Sequence, residues 1–194
     1  MRVDIDHPAS FKEGVRVLLL MLRAKDGGSA KTDRKAVKKI VTQSPQEFDE
    51  ALQELRGRWK ETERIYASIN PRNIGKAIRL FKYRQLDADY FASKDHQSFY
   101  LDLNNRWYSC LMDGKSSDSS LFLFDVDNDV PKGVHPTITA KVSEWEVLDD
   151  YPTRNGRHVI TTPFNPAVLE RFNPKDGLAT LKCLQRDALM LWSY

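Results

Sequence analysis

Two carboxylates stand two positions apart in "SLFLFDVDND", at Asp125 and Asp127, in an otherwise apolar segment. Strand side chains alternate between faces, so Leu121, Leu123, Asp125 and Asp127 share one face and Phe122, Phe124 and Val126 the other. Like charges on neighbouring same-face positions repel, and burial raises that cost. A strand end reaching solvent, with the turn-like "NDVPKG" after it, accommodates the pair without any function. A divalent cation would instead cancel the repulsion. Mg2+ and Mn2+ prefer oxygen ligands and are held by one or two carboxylates together with substrate phosphates. A separation of about 6–7 Å between same-face Cα atoms suits that use.

The second group lies in "YPTRNGRHVITTPFN", where His158 enters a strand directly after a Thr-Arg-Asn-Gly turn. A lone strand histidine is commonly a packing residue. Here Arg154, Arg157, Gly156 and the hydroxyls of Thr153, Thr161 and Thr162 flank it, a set chemically suited to an anion such as phosphate. Upstream, "RIYASINPRNIGKAIR" places Arg64, Asn70, Arg72, Asn73 and Lys76 around a strand-to-helix turn. Helix N-termini attract phosphates, which makes this a candidate contact for a template or a triphosphate. An ordinary solvated basic helix face explains the same residues. "DGGSAKTD" lacks a glycine before Lys31 and has the wrong glycine spacing for a phosphate-binding loop, so it reads as a basic surface loop.

Several elements must position these groups. "VRVLLLMLRAK" reads as a buried strand. In "SPQEFDEALQELRGRW", Ser44 caps a helix, Pro45 suits its first turn and Glu47 completes a capping box. Phe48, Ala51, Leu52, Leu55 and Trp59 then recur at helical spacing. "RIYASIN" reads as a short alternating strand, and "PRNIGKAIRLFKYRQL" as a helix with Ile74, Ala77, Ile78 and Phe81 toward the core. "HQSFYLDLNNRWYSCLM" favours a helix, followed by the polar loop "KSSDSS" and the Asp-x-Asp strand. A short helix near "PTITAKVSEW" precedes a strand–turn–strand with Asn155-Gly156 at the turn. "NPAVLERF" is a short helix, and "LATLKCLQRDALMLWSY" reads as two closing strands or one bent strand. This succession predicts an α/β or α+β fold in a single domain over 1–194.

The 194 residues suit one domain, and 41% hydrophobic content supports a core. Net charge is +3, a mild lean toward anionic partners. Cys110 and Cys183 are far apart in apolar settings, without zinc spacing, and read as reduced core thiols. "VLLLML" is too short to span a bilayer, and the acids and lysine before it do not suit a signal peptide. The chain is therefore expected to be soluble and intracellular, cytoplasmic, with no membrane partner.

The order "FLFDVD" then "TRNGRHVI" resembles the archaeo-eukaryotic primase superfamily of primases and primase-polymerases. Its pattern is an hDhD strand, a strand with a small residue or glycine shortly before a histidine, then a third acidic strand. The resemblance covers Arg64 onward and implies a minimal member, either a stand-alone phage or plasmid enzyme or a decayed copy. It implies a sheet like that of the RNA-recognition motif, mixed or antiparallel with flanking helices, in a catalytic core over 64–194 beside an N-terminal αβ unit over 1–63. By the same resemblance, Asp125 and Asp127 bind catalytic Mg2+ or Mn2+, and His158 contacts the phosphates of an incoming nucleotide. Thr153, Arg154, Asn155, Gly156 and Arg157 form the nucleotide-binding turn, and Arg64, Arg72, Asn73 and Lys76 contact phosphate or nucleic acid. The third acid is Asp187 or its rival Asp176. The implied partners are a nucleoside triphosphate, a DNA or RNA template and a replication protein. The implied reaction is metal-dependent nucleotidyl transfer to a nucleic-acid 3′-hydroxyl. A metal-dependent nuclease or phosphoesterase, and a non-catalytic nucleic-acid-binding protein retaining the fold, stand as alternatives.

Overall fold

The computed structural model describes residues 14–23, 34–60, 62–90, 96–118, 121–153, 156–186 and 189–193. Among them the chain forms a mixed α/β, or α+β, architecture of two four-stranded antiparallel sheets with helices packed against both.

The first sheet has the order β2-β1-β3-β8, from β1 (Arg16–Arg23), β2 (Arg34–Thr42), β3 (Glu63–Ser68) and β8 (Leu189–Ser193). The helix α1 (Pro45–Arg58) starts where expected, with the Glu47 backbone N–H donating to Ser44 Oγ at 3.2 Å. The Glu47 carboxylate reaches back to the Gln43 backbone N–H at 2.8 Å, one residue before the usual capping-box partner. Phe48, Ala51, Leu52 and Leu55 are buried against Leu18, Leu20, Ile65 and Ala67 of the sheet. A fully buried leucine such as Leu55 contributes about 2 kcal/mol by leaving water. Trp59 sits at the helix C-cap, partly exposed, and its indole N–H donates to the Glu63 carbonyl at 2.7 Å.

On the other face of this sheet, Val17, Leu19 and Tyr66 meet Ala77 of α2 (Ile74–Tyr90) and Leu111 of α4 (Leu103–Leu111). Because β3 lies between β1 and β8 and is covered on both sides, all six of its residues are buried rather than every second one. The expected core face of α2 is corrected at two positions: Ile74 and Ile78 are exposed, while Ala77 and Ala88 are buried. The following helical segment is broken at Asp102 into α3 (His96–Leu101) and α4.

The second sheet has the order β5-β6-β4-β7, from β4 (Phe122–Asp127), β5 (Val147–Thr153), β6 (Gly156–Thr161) and β7 (Leu184–Arg186). With α5 (Val134–Thr139), α6 (Ala167–Phe172) and α7 (Gly177–Cys183), these strands run in the succession β-α-β-β-α-α-β, a split β-α-β pattern with a doubled second helix. Phe122, Phe124, Val126 and Val159 face the three helices, where Val134, Ile138, Trp145, Leu169 and Cys183 cover them. Leu123, Tyr151 and Ile160 face the opposite way and join the core formed by α1 and the first sheet. The two sheets therefore share one core.

Three features depart from the sequence expectations. The lysine-rich strand β2 carries no apolar alternation that would announce it, because Lys38 and Lys39 interrupt the pattern. Residues 177–183 are a helix rather than part of a strand, which lets Ala179, Leu181 and Cys183 pack on Phe124 and Val159, and at its start a Cβ on Gly177 would meet the Leu169 carbonyl oxygen at 2.5 Å. The expected division at 63/64 falls at the start of β3, which belongs wholly to the first sheet, and β8 returns to that sheet. Among the described residues no helix is long and apolar enough to cross a membrane.

Candidate functional site

The β4–β6 register decides which residues meet. Asp125 pairs directly with His158, and Asp127 pairs with Gly156. Across the next strand boundary Tyr151 pairs with His158, and Thr153 with Gly156. By alternation, Asp125, Asp127, His158, Tyr151 and Thr153 occupy the sheet face that looks toward the first sheet.

The side chains form a chain of contacts. The Tyr151 hydroxyl lies 3.0 Å from His158 Nδ1, and His158 Nε2 lies 3.2 Å from Asp125 Oδ1. Gln185 Nε2 donates to the other Asp125 oxygen, Oδ2, at 3.2 Å. Exposure rises along this chain, from the buried Tyr151 through His158 at 8% of its side chain to Asp125 at 37%, with Asp127 exposed beyond. Burial, reinforced by Asp149 and Asp125, holds the Tyr151 hydroxyl well above the ordinary tyrosine range, so it keeps its proton. Burial also raises the Cys183 thiol, with Asp125, Asp127 and Asp129 adding to the effect. Cys183 and Cys110 are free, buried thiols.

Gly156 has a steric reason. A Cβ there would stand 2.0 Å from the Val126 carbonyl oxygen and 2.8 Å from the Asp127 Cα, so only glycine lets β6 run this close to β4. It is also the first paired residue of β6 rather than part of the turn. Arg154 and Asn155, between the paired Thr153 and Gly156, lie outside the described residues.

Other expected site residues are placed elsewhere. Arg157 sits on the opposite face, where its Nε donates to Asp150 Oδ1 at 2.8 Å while His135 Nε2 lies 2.9 Å from Asp150 Oδ2. Thr161 is buried on the helix-covered face, and the Thr162 hydroxyl accepts from the Glu146 backbone N–H at 2.9 Å. Arg64 pairs with Met21, on the side of the first sheet turned away from the second. Arg72 is fully buried, and its backbone bridges to Val15. Asn73 caps α2 by accepting from the Lys76 backbone N–H at 3.0 Å, and both Asn73 and Lys76 contact the Asp118 carboxylate. The start of α2 thus already holds an anion, supplied by the chain itself. Asn70 is buried, and its amide donates to the Leu121 carbonyl and accepts from the Leu121 backbone N–H, tying the end of β3 to the entry of β4.

Of the two candidate third acids, Asp176 lies in the helical layer, where it contacts Asn173 and crowds Gly133. Asp187 lies outside the described residues. Its neighbour Arg186 pairs with Phe122, at the end of β4 away from Asp127. Among the described residues no group of three or more His, Cys, Asp or Glu side chains is gathered for a metal. The donors present nevertheless suit a hard cation that keeps several waters: two carboxylates on one strand face, both reaching toward solvent.

No family model, curated protein or solved structure matches this chain.

Tyr151 and Gln185 are the contributors that residue types alone did not single out. Tyr151 is readable from the hairpin register once the turn is placed at 154–155. With the turn at Asn155-Gly156, His158 would face Thr153 instead. Gln185 has no spacing signature.

Proposed function

We propose that the β4–β6 face binds a nucleoside triphosphate with a divalent cation and transfers its nucleotidyl group to a nucleic-acid 3′-hydroxyl. The observation that carries this reading is the direct cross-strand pairing of Asp125 with His158, which sets a carboxylate and an imidazole side by side at a solvent edge. Asp127 extends the carboxylate row outward, and the close approach at Gly156 holds the two strands in that register. Further support comes from the strand order β7-β4-β6-β5 beside an αβ unit, the arrangement that a sheet like the RNA-recognition motif would have.

Asp125 and Asp127 would hold Mg2+ or Mn2+, which when bound neutralises phosphate charge and favours ionisation of the attacking hydroxyl. The chain's own residues do the rest. His158 directs an N–H toward a phosphate oxygen, a charge-assisted contact that fixes the phosphate for in-line attack. Thr153, on the same face one strand away, offers a hydroxyl at the rim. The shared core beneath Leu123 and Ile160 keeps the floor of the site dry and stiff.

One observation favours a second reading, a non-catalytic nucleotide-binding protein. The residue of β7 that touches Asp125 is an amide, Gln185, rather than a carboxylate.

The deciding experiment incubates the protein with labelled nucleoside triphosphates, Mn2+ or Mg2+, and primed and unprimed templates. Template-dependent extension that disappears in Asp125→Asn, with the fold intact by circular dichroism, supports transfer. Template degradation lost in the same variant replaces transfer with hydrolysis. Nucleotide binding with no turnover at any metal concentration leaves the non-catalytic reading.

A further inference from the structure

We infer that Tyr151 is a positioning residue for this site, fixing the His158 imidazole in one orientation and in the Nε2–H tautomer. The use to which the ring is put rests on the nucleotide reading above; the state of the ring does not.

A carboxylate can only accept, so the Nε2 facing Asp125 Oδ1 at 3.2 Å must carry hydrogen, or two lone pairs would face each other. In the neutral ring Nδ1 is then an acceptor, and the donor it needs stands 3.0 Å away in the Tyr151 hydroxyl. Tyr151 keeps that proton, because its ring and hydroxyl are buried in the shared core. The two rings meet edge to face, with centroids 5.4 Å apart at 76°, so Tyr151 also limits rotation of the imidazole. Protons thus point outward along the whole chain, from Tyr151 to His158 to Asp125.

Both Tyr151 and Asp125 favour this tautomer in the free protein. They part company once a ligand arrives. If Asp125 turns to a cation, its hold on Nε2–H weakens, and Tyr151 is then the partner that keeps a donor aimed at the phosphate. The other tautomer would aim a lone pair at an anion.

The test reads the ring directly. In protein labelled with 15N at histidine, long-range proton–nitrogen correlation distinguishes the tautomers, and the His158 signals are assigned by their loss in His158→Ala. The inference expects the Nε2–H pattern in the wild type, its persistence in Asp125→Ala, where Tyr151 alone holds it, and its loss or mixing once Tyr151→Phe is added to Asp125→Ala. A tautomer lost in Asp125→Ala, or unchanged in the double variant, overturns it. A wild-type measurement guards against a variant that fails to fold. A slowly exchanging Tyr151 hydroxyl proton close to the His158 ring upholds the inference, and rapid exchange of that proton sinks it. For function, Tyr151→Phe is expected to weaken nucleotide binding about tenfold, the loss of one hydrogen bond, while Mn2+ alone binds as before. An equal loss for Mn2+ alone would mean general damage to the site and overturns the positioning role. If the tautomer depends on Tyr151 while the wild type binds no nucleotide, the positioning stands and the nucleotide reading falls.

Discussion

Two places in this chain carry residues suited to anions, and they differ in what completes them. At the start of α2, Asn73 and Lys76 are met by Asp118, so the helix terminus and its cation are neutralised from within. On the β4–β6 face, Asp125 contacts His158 and Gln185 but still opens to solvent, and Asp127 continues the row outside. The first cluster sets Lys76 at a helix N-terminus, a composition suited to phosphate. The second has a graded path from core to surface, which places directional donors and acceptors where a ligand can reach them. Charge counts poorly separate a structural cluster from a site; the direction in which its hydrogen bonds end separates them better.

The contrast can be broken most severely at Gly156. Gly156→Ala drives a methyl into the Val126 carbonyl, and β6 must move off β4. We expect a loss of about 3 kcal/mol in urea unfolding, together with loss of the Asp125–His158 contact, while the α2 end is unaffected. Next comes Asn70, which ties the segment leading into α2 to the entry of β4. Asn70→Ala leaves two Leu121 backbone groups unpaired and should cost about 2 kcal/mol, detectable as faster amide exchange at the start of β4. The smallest effect is at Asp118. Its contacts with Lys76 and then Asn73 hold its carboxyl below the ordinary aspartate range. A lowered folded-state value means that the stabilisation is present above the ordinary range and is lost as pH falls through the depressed value. Because Asp118 is exposed, the change in midpoint should be small, and Asp118→Ala should flatten it. The same variant should let inorganic phosphate bind at the start of α2, detectable by chemical-shift perturbation of the Lys76 amide, while nucleotide binding at β4–β6 stays unchanged.

The parts legible in the sequence are those where local chemistry and tertiary demand agree. The α1 cap, the alternating β4 and the β5–β6 hairpin were all readable because capping, period-two alternation and turn residues leave local marks. The Asp125–His158 partnership was legible as a suspicion, since two strands were named without their register. Elsewhere long-range packing overrode local pattern. In β2, the adjacent Lys38 and Lys39 break any period-two pattern between Ala36-Val37 and Ile40-Val41; pairing with β1 makes it a strand. In α7, "LATLKC" mimics strand alternation, yet it packs as a helix over Phe124 and Val159. Arg157 and His158 are neighbours in sequence, but adjacency in a strand puts their side chains on opposite faces.

The return of β8 to β3 affects how the molecule is made. Ser68 pairs with Leu189, so everything from α2 to β7 is synthesised between two strands that end up side by side. During translation β3 waits with one edge open while the second sheet, whose contacts are more local, has all its strands available. The open edge can recruit a strand from another chain until β8 arrives, and this interval is when misassembly threatens most. The strand that covers this edge of β3 is therefore the last of the described elements to be made.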